Sequence, residues 1–405
     1  MHTRYGVSPW IRQFPDSRRP EFSRPKENAT VDVVIVGAGL TGCATAYACG
    51  MAGLRTIVLE AGRVAQGRSG RSVGLLLPAP GPAFRDLAAA HGVRSARQAF
   101  QSWRRASLEA AALLRRLGIR CGLEPQDEII TGARDDEKLL RREHAARVDA
   151  GLEASFLSPK QLLASAAIDG SGAIRVRDAF GLDPYRACVG LAAAALKRRV
   201  RIFERTPVKK VRVGRKQVEI LTAAATMTAQ TVVVTTGVAT AEFTQLRRHF
   251  ARRETYVVMT EPMPAAIRKA VGSRRATIAD TRQPHHRIRF SSDHRIIVSG
   301  AEQSETPERA REAVLVQRTG QLMYELLTIY PAISGLQPEF GWDLPYGQTA
   351  DGLPYIGPHR NFPRHLFALG GGGDSVTGAF LAARILARQL HGTSEKTDDV
   401  FGWNR

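Results

Sequence analysis

No stretch of the 405 residues approaches the apolar length that a helix needs to span a bilayer, which excludes a helical membrane span. Cysteine is scarce. Cys43, Cys49, Cys121 and Cys188 show neither CxxC nor metal-like spacing, so reduced thiols and a cytoplasmic setting are expected, with no metal site. The first 30 residues carry Arg and Pro but no apolar core, so they are expected to form an extended arm over residues 1–29 and not a secretory signal. Internal repeats and low-complexity segments are absent. Acidic residues are few, 38 against 58 Lys and Arg, giving a net charge of +20. The basic residues lie in scattered pairs such as Arg104-Arg105 and Arg252-Arg253, without interleaved glycines and aromatics. That pattern decorates solvated faces and argues against nucleic acid as the main partner.

What is present is concentrated between Val31 and Glu60, VDVVIVGAGLTGCATAYACGMAGLRTIVLE. The segment reads as strand, glycine turn, helix and second strand ending in an acid, the dinucleotide-binding βαβ unit. Gly37, Gly39 and Gly42 supply the GxGxxG spacing: tight turn, close approach of a pyrophosphate, and close packing of helix on strand. Leu40 and Thr41 open that helix, whose free N–H groups and positive dipole end suit phosphates. Glu60 falls near the roughly 20-residue distance at which an acid accepts ribose hydroxyls, and an acid there disfavours a 2′-phosphate. The motif leaves NAD and FAD both open. The next segment, AGRVAQGRSGRSVGLLLP, favours FAD, because Gly67, Ser69, Gly70 and Gly74 interrupt the chain where a flavin would continue outward.

The remaining chain alternates between two kinds of territory. Residues 95–118 read as a core-facing helix with Phe100, Trp103, Leu108, Leu113, Leu114 and Leu117 inward. A helix follows Pro184, and TVVVTT at Thr231–Thr236 reads as a further buried strand ended by Gly237. Short strand-like runs between Thr255 and Gly300 suggest an antiparallel sheet. Glu308–Tyr330 reads as a long helix with Leu315, Leu322, Leu326 and Ile329 inward, and a last helix covers Thr377–Leu390. The fold class expected is α/β (α+β overall), a Rossmann-like FAD-binding domain with a second, antiparallel-sheet substrate domain. The FAD-binding domain is expected to be discontinuous, from 30–80, 152–239 and 342–392. The substrate domain would take 81–151 and 240–341, and 393–405 would form a tail.

Three separated motifs carry a resemblance. VIVGAGLTG…LEAG…GRSGRSVG, then TVVVTTG, then TADGLPYIGP…LFALGGGGDSVTGAFLAARIL together resemble the FAD-dependent oxidoreductases of the D-amino-acid oxidase and glycine oxidase superfamily, most of all its γ-glutamylputrescine oxidase-like branch. The likeness spans about Val31 to Leu390. It implies a flavoenzyme that oxidises a primary or secondary amine or an amino acid by hydride transfer to flavin N5, leaving an imine that hydrolyses. O2, a quinone or an electron-transfer protein would reoxidise the flavin. A flavoenzyme acting on a nucleic-acid-borne amine and a non-catalytic flavin-bearing interaction protein are the other classes this likeness allows.

By resemblance the cofactor would be held by Ala61 and Gly62 after the second strand, by Arg68, Ser69, Gly70, Arg71, Ser72 and Gly74 in the following turn, and by Val208, Thr236 and Gly237. Gly371, Gly372, Gly373, Asp374, Ser375, Val376 and Thr377 would approach the isoalloxazine, where a helix N-terminus stabilises charge on the reduced flavin. Relatives often read GGNGIT where this chain has GGDSVT. Asp374 is expected to cap the helix rather than face the flavin. With no His in GRSGRSVG, non-covalent FAD is expected. For the substrate, the strand HHRIRFSS makes Arg289 the first candidate to grip a carboxylate, with His285 on the same face as Arg287 and Arg289. Trp342 and Tyr346 are candidates for the pocket wall.

Overall fold

The apolar, β-branched run Val33–Val36 has backbone partners on both sides, pairing in parallel with Thr56–Leu59 and with Thr231–Val234. In the computed structural model, which describes residues 2–271, 276–282, 285–372 and 375–405, it lies at the centre of a mainly parallel sheet. The order from one edge is Tyr355–His359, Phe362–Leu369, Thr226–Gly237, Ala29–Val36, Thr56–Leu59 and Arg201–Phe203. The Tyr355–His359 strand runs antiparallel to its neighbour, and a small meander, Lys210–Val213 and Val218–Leu221, hangs on Thr226–Gly237. Val33 and Ile35 pack against the helices Leu40–Met51, Pro184–Leu196 and Thr377–Leu390, while Val31 and Val34 join Met227 and Phe367 on the other face. Each such aliphatic side chain contributes roughly 1.5–3 kcal/mol through burial. Asp183 starts the second of these helices by accepting the Arg186 N–H at 2.9 Å, with Pro184 in the first turn.

The second sheet is mostly antiparallel. Its order is Arg4–Tyr5, Pro338–Gln348, Ala251–Thr260, Ile296–Ser304, Arg287–Phe290, Ala276–Asp280, Glu124–Thr131, Ala173–Gly181 and Leu75–Leu76, with Ser155–Leu157 paired to Ala173–Gly181. The helix Arg311–Ile329 covers one face, burying Leu315, Leu322 and Leu326 against Ile288, Phe290, Ile296 and Val298. The opposite face looks toward the parallel sheet.

Several expected boundaries shift. Residues 155–157 and 173–181, expected in the FAD-binding unit, give their strands to the second sheet, as do Leu75–Leu76 and residues 342–348. The physical reason is period: AIRVRDAFG alternates and finds an antiparallel partner in Glu124–Thr131, whereas the parallel sheet takes continuous apolar runs. The strands of the mainly parallel sheet come from 29–59, 201–237 and 355–369. The helical stretch Phe84–Arg116 breaks at Gly92, where φ is 80°, and its Phe100, Trp103 and Leu114 sit in the core shared with the dinucleotide helices. Leu108, expected inward, is 40% exposed.

Both termini are built into the body. Arg4–Tyr5 adds an edge strand, Ser8 Oγ donates to the Gly70 carbonyl, and Trp10 Nε1 donates to Ser72 O at 2.9 Å. At the other end Trp403 stacks on Tyr355 with centroids 4.6 Å apart, and Arg405 pairs with Asp351 at 2.6 Å.

Candidate active site

The carboxyl ends of the parallel strands open into a cavity of about 530 Å³ that extends to the second sheet. Ligands of open α/β sheets bind at such strand ends. Its floor is the glycine turn. Gly37 has φ of 102°, and a Cβ on Gly39 would lie 2.9 Å from Ser69 Oγ. A Cβ on Gly42 would stand 1.9 Å from the Gly37 carbonyl, so the helix approaches the turn as closely as glycine permits. Glu60 reaches back across the turn: Oε2 accepts the Ala38 N–H at 2.7 Å and Oε1 accepts the Gly62 N–H at 2.8 Å.

Most residues expected at the cofactor line this cavity. Gly37, Gly39, Leu40, Thr41, Glu60, Ala61, Arg68, Ser69, Ser72, Val208, Thr236, Gly237, Gly371, Gly372, Ser375 and Val376 form its wall. Others stand one layer back. Thr377 Oγ1 accepts the Leu77 N–H at 2.8 Å and donates to Leu77 O at 2.9 Å, pinning the segment that carries Gly74 to the start of the last helix. Gly70 and Gly74 serve backbone packing behind the wall, since a Cβ on Gly70 would meet Ala65 O at 2.3 Å and one on Gly74 would meet Leu182 O at 2.1 Å, whereas Gly62 is exposed and gives its N–H to Glu60. Arg71 turns away and pairs with buried Asp343 at 3.0 Å. Gly373 and Asp374 lie outside the described residues, so the expected capping role of Asp374 stays an expectation.

Two observations test the fit of FAD. A Cβ is excluded at the glycine turn where a pyrophosphate would approach, and Trp103, a cavity-lining residue only 4% exposed, has a buried indole Nε1–H with no partner among the described residues. Buried donors are normally satisfied, so this N–H suits a bound acceptor. Both features fit the group. Trp103 was read from its helical spacing as plain core, and its one sequence signal, an indole nitrogen on a buried face, is a weak one.

The far wall comes from the second sheet: His285, Arg287, Glu302, Tyr346 and Gln348. Arg287 Nη1 donates to Glu128 Oε1 at 2.8 Å, and both side chains are buried. Glu302 accepts from Arg253 Nε at 3.1 Å and from the Tyr346 hydroxyl.

Arg289 is elsewhere. Its Nη1 donates to the carbonyls of Val73, Gly74 and Leu182 at 2.8–2.9 Å, its guanidinium carbon lies 5.5 Å from the Trp10 ring centre, and it does not line the cavity. Burial pulls its pKa down to about 10. The guanidinium staples backbone, which corrects the expectation of a carboxylate anchor. Trp342 is likewise withdrawn. It is fully buried among Val257, Phe340 and Leu344, donating Nε1 to Arg71 O at 2.7 Å. Tyr346, four residues on along the same strand, reaches the cavity instead.

Behind the wall His286 locks its strand. Nδ1 meets Asp280 Oδ2 and Nε2 meets Glu325 Oε2, each at 2.7 Å. Burial, the largest single influence, lowers its pKa, but the two carboxylates together outweigh it and raise the value above the ordinary one. Among the described residues no group of three His, Cys, Asp or Glu side chains is arranged to hold a metal, and no helix is long and apolar enough to cross a membrane.

A two-sheet body with a dinucleotide cradle opening toward a charged wall defines a flavin-dependent oxidoreductase. Residues 32–389 match the family described as DAO, FAD dependent oxidoreductase, and the chain belongs to that family. It is 25% identical over 397 residues to a probable oxidoreductase, OrdL, of Haemophilus influenzae, covering 94% of this chain and 88% of that protein. It is 24% identical over 386 residues to γ-glutamylputrescine oxidoreductase of Escherichia coli, covering 93% and 87%. Among solved structures, glycine oxidase from Geobacillus kaustophilus superposes with a TM-score of 0.76 at 19% identity, covering 93% of this chain and 99% of that one, and so shares the fold.

Proposed function

We propose that this enzyme oxidises a primary or secondary amine or an amino acid at the carbon bearing nitrogen, giving an imine that water hydrolyses. The observation that carries the reading is a single cavity whose one end is the dinucleotide cradle and whose other end is walled by Arg287, Glu302, His285 and Tyr346. Bound FAD supplies the two-electron acceptor for the hydride.

The chain's own residues act by placement. Arg287, fixed by Glu128, presents a cation toward the cavity and takes the anchoring role first assigned to Arg289. A guanidinium grips a carboxylate through parallel, charge-assisted hydrogen bonds, which fixes the donor carbon relative to the cofactor. His286, held from both sides, keeps that strand in register. The last helix aims its N-terminus at the cavity through Val376 and Gly378, and its dipole favours negative charge there. The names of γ-glutamylputrescine oxidoreductase and of glycine oxidase support an amine or amino-acid donor; each name belongs to its own protein.

An anaerobic panel of amines, amino acids, 2-hydroxy acids and glycerol phosphates tests the reading by flavin bleaching. Bleaching by amines or amino acids alone is the expected result. Bleaching by hydroxylated compounds alone overturns it.

A further inference from the structure

Along the strand Ile296–Ser304 the side chains alternate in the ordinary way until residue 299. Ile296 and Val298 pack under the helix Arg311–Ile329, and Ile297 packs on the other face with Val257 and Trp342. Gly300 keeps the alternation, since a Cβ there would meet Leu322 Cδ2 at 3.2 Å on the helix side. Continued alternation would turn residue 301 toward the cavity and send residue 302 under the helix.

The chain does the opposite. Ala301 is also buried on the helix side, in the same cluster as Leu322, and its φ is 51°. The pairing with Ala251–Thr260 slips at this point: Tyr256 faces Gly300 but Glu254 faces Gln303, leaving two residues opposite Thr255. This is a β-bulge, and its effect is to bring Glu302 onto the cavity wall. Left-handed backbone at a non-glycine residue is unfavourable and persists where the surroundings impose it, often at a functional site.

The re-aimed carboxylate has a defined setting. Oε1 accepts from Arg253 Nε, Oε2 accepts from the Tyr346 hydroxyl, and Tyr346 itself lines the cavity. A carboxylate offers about four acceptor directions, so this pair of contacts orients the group without exhausting it. Arg253 is about one-third exposed and meets Glu302 through Nε alone, a weaker neutraliser than a buried two-pronged partner.

We infer that Glu302 receives the ammonium group of the substrate, so that the enzyme selects its amine as a cation, with Tyr346 orienting the carboxylate and Arg287 serving an anionic end where one exists. The inference rests on the amine-oxidising reading above and names the residue that selects for charge.

The test uses FAD-loaded enzyme, reduced beforehand with dithionite so that no turnover occurs, in equilibrium dialysis against 1,5-diaminopentane, 5-aminopentanoate and pentanoate. Glu302→Gln is expected to weaken the two ammonium probes by roughly 30-fold or more, as loss of a close charge partner does. Pentanoate should bind this variant within about twofold of wild type, because its carboxylate belongs to Arg287. Glu302→Asp, which keeps the charge, should recover part of the loss, and FAD content with thermal melting reports on folding in each variant. Equal binding of the ammonium probes by wild type and Glu302→Gln overturns the assignment while leaving the amine reading in place. Parallel loss of pentanoate also overturns it, by showing a merely structural role. Wild type that binds no ammonium probe removes the assignment and the amine reading together.

Discussion

Replacing Gly42 by alanine perturbs the cofactor cradle at its least yielding point. The added Cβ would stand 1.9 Å from the Gly37 carbonyl oxygen and 2.9 Å from Thr235 Oγ1, where real Cβ contacts stay beyond 3.0 Å. The Thr235 hydroxyl can rotate aside, but Gly37 is backbone and belongs to the turn itself. The helix Leu40–Met51 must therefore retreat by about 1 Å, an overpacking cost of roughly 1–3 kcal/mol. That retreat carries the helix N-terminal N–H groups away from the pyrophosphate position, so FAD affinity should fall by roughly 10-fold to 100-fold. The assay is titration of apoprotein with FAD, following flavin fluorescence. Gly320→Ala is the control, since a Cβ there meets nothing within 4 Å in the helix Arg311–Ile329. It should leave FAD binding alone and stabilise by up to about 1 kcal/mol. Wild-type FAD affinity in Gly42→Ala would refute the reasoning.

Three further outcomes follow from named contacts. Arg289→Ala should destabilise the fold by about 2–5 kcal/mol in urea unfolding, because three buried carbonyls lose one donor group, and an unchanged midpoint would show that the staple carries little. Trp103→Phe removes an unpartnered N–H together with part of the indole's buried packing, so the apoprotein should lose only about 0.5–3 kcal/mol while FAD binds about 3-fold to 10-fold more weakly; equal FAD affinity would exclude the indole as a cofactor donor. His286 has a folded pKa raised above its unfolded value, so its proton contributes stability fully below the unfolded value, and the contribution is lost as pH rises through the folded value. The destabilisation caused by His286→Asn, measured in urea from about pH 5.5 to about pH 8.5, should therefore shrink as pH rises, and a pH-independent difference would contradict the ion-pair account.

The cofactor half of the site was legible because its determinants are local. GxGxxG, the closing acid and the glycine run before the last helix each declare themselves within a few residues, and each lies on or just behind the cavity wall. The substrate half depends on register across strands distant in sequence. Alternation puts His285, Arg287 and Arg289 on one face, yet a face has length: His285 and Arg287 reach the cavity, while Arg289 falls over the backbone of residues 73–74 and 182. Glu302 was invisible because a bulge reverses the parity on which such readings depend, and Ala301 gives no composition cue for positive φ. The strands at 155–157 and 173–181 were grouped with the FAD-binding unit although they pair in the second sheet, because strand patterns seldom name their partners.

The most direct test of an amine-oxidising flavoenzyme is the stoichiometry of a single anaerobic turnover. FAD-loaded enzyme mixed with an amine or amino acid that bleaches it should yield one carbonyl product and one ammonia or amine per flavin reduced, with Arg287→Met weakening the carboxylated donors most. Flavin reduced stoichiometrically by a hydroxylated donor, with no nitrogen released, would contradict the account.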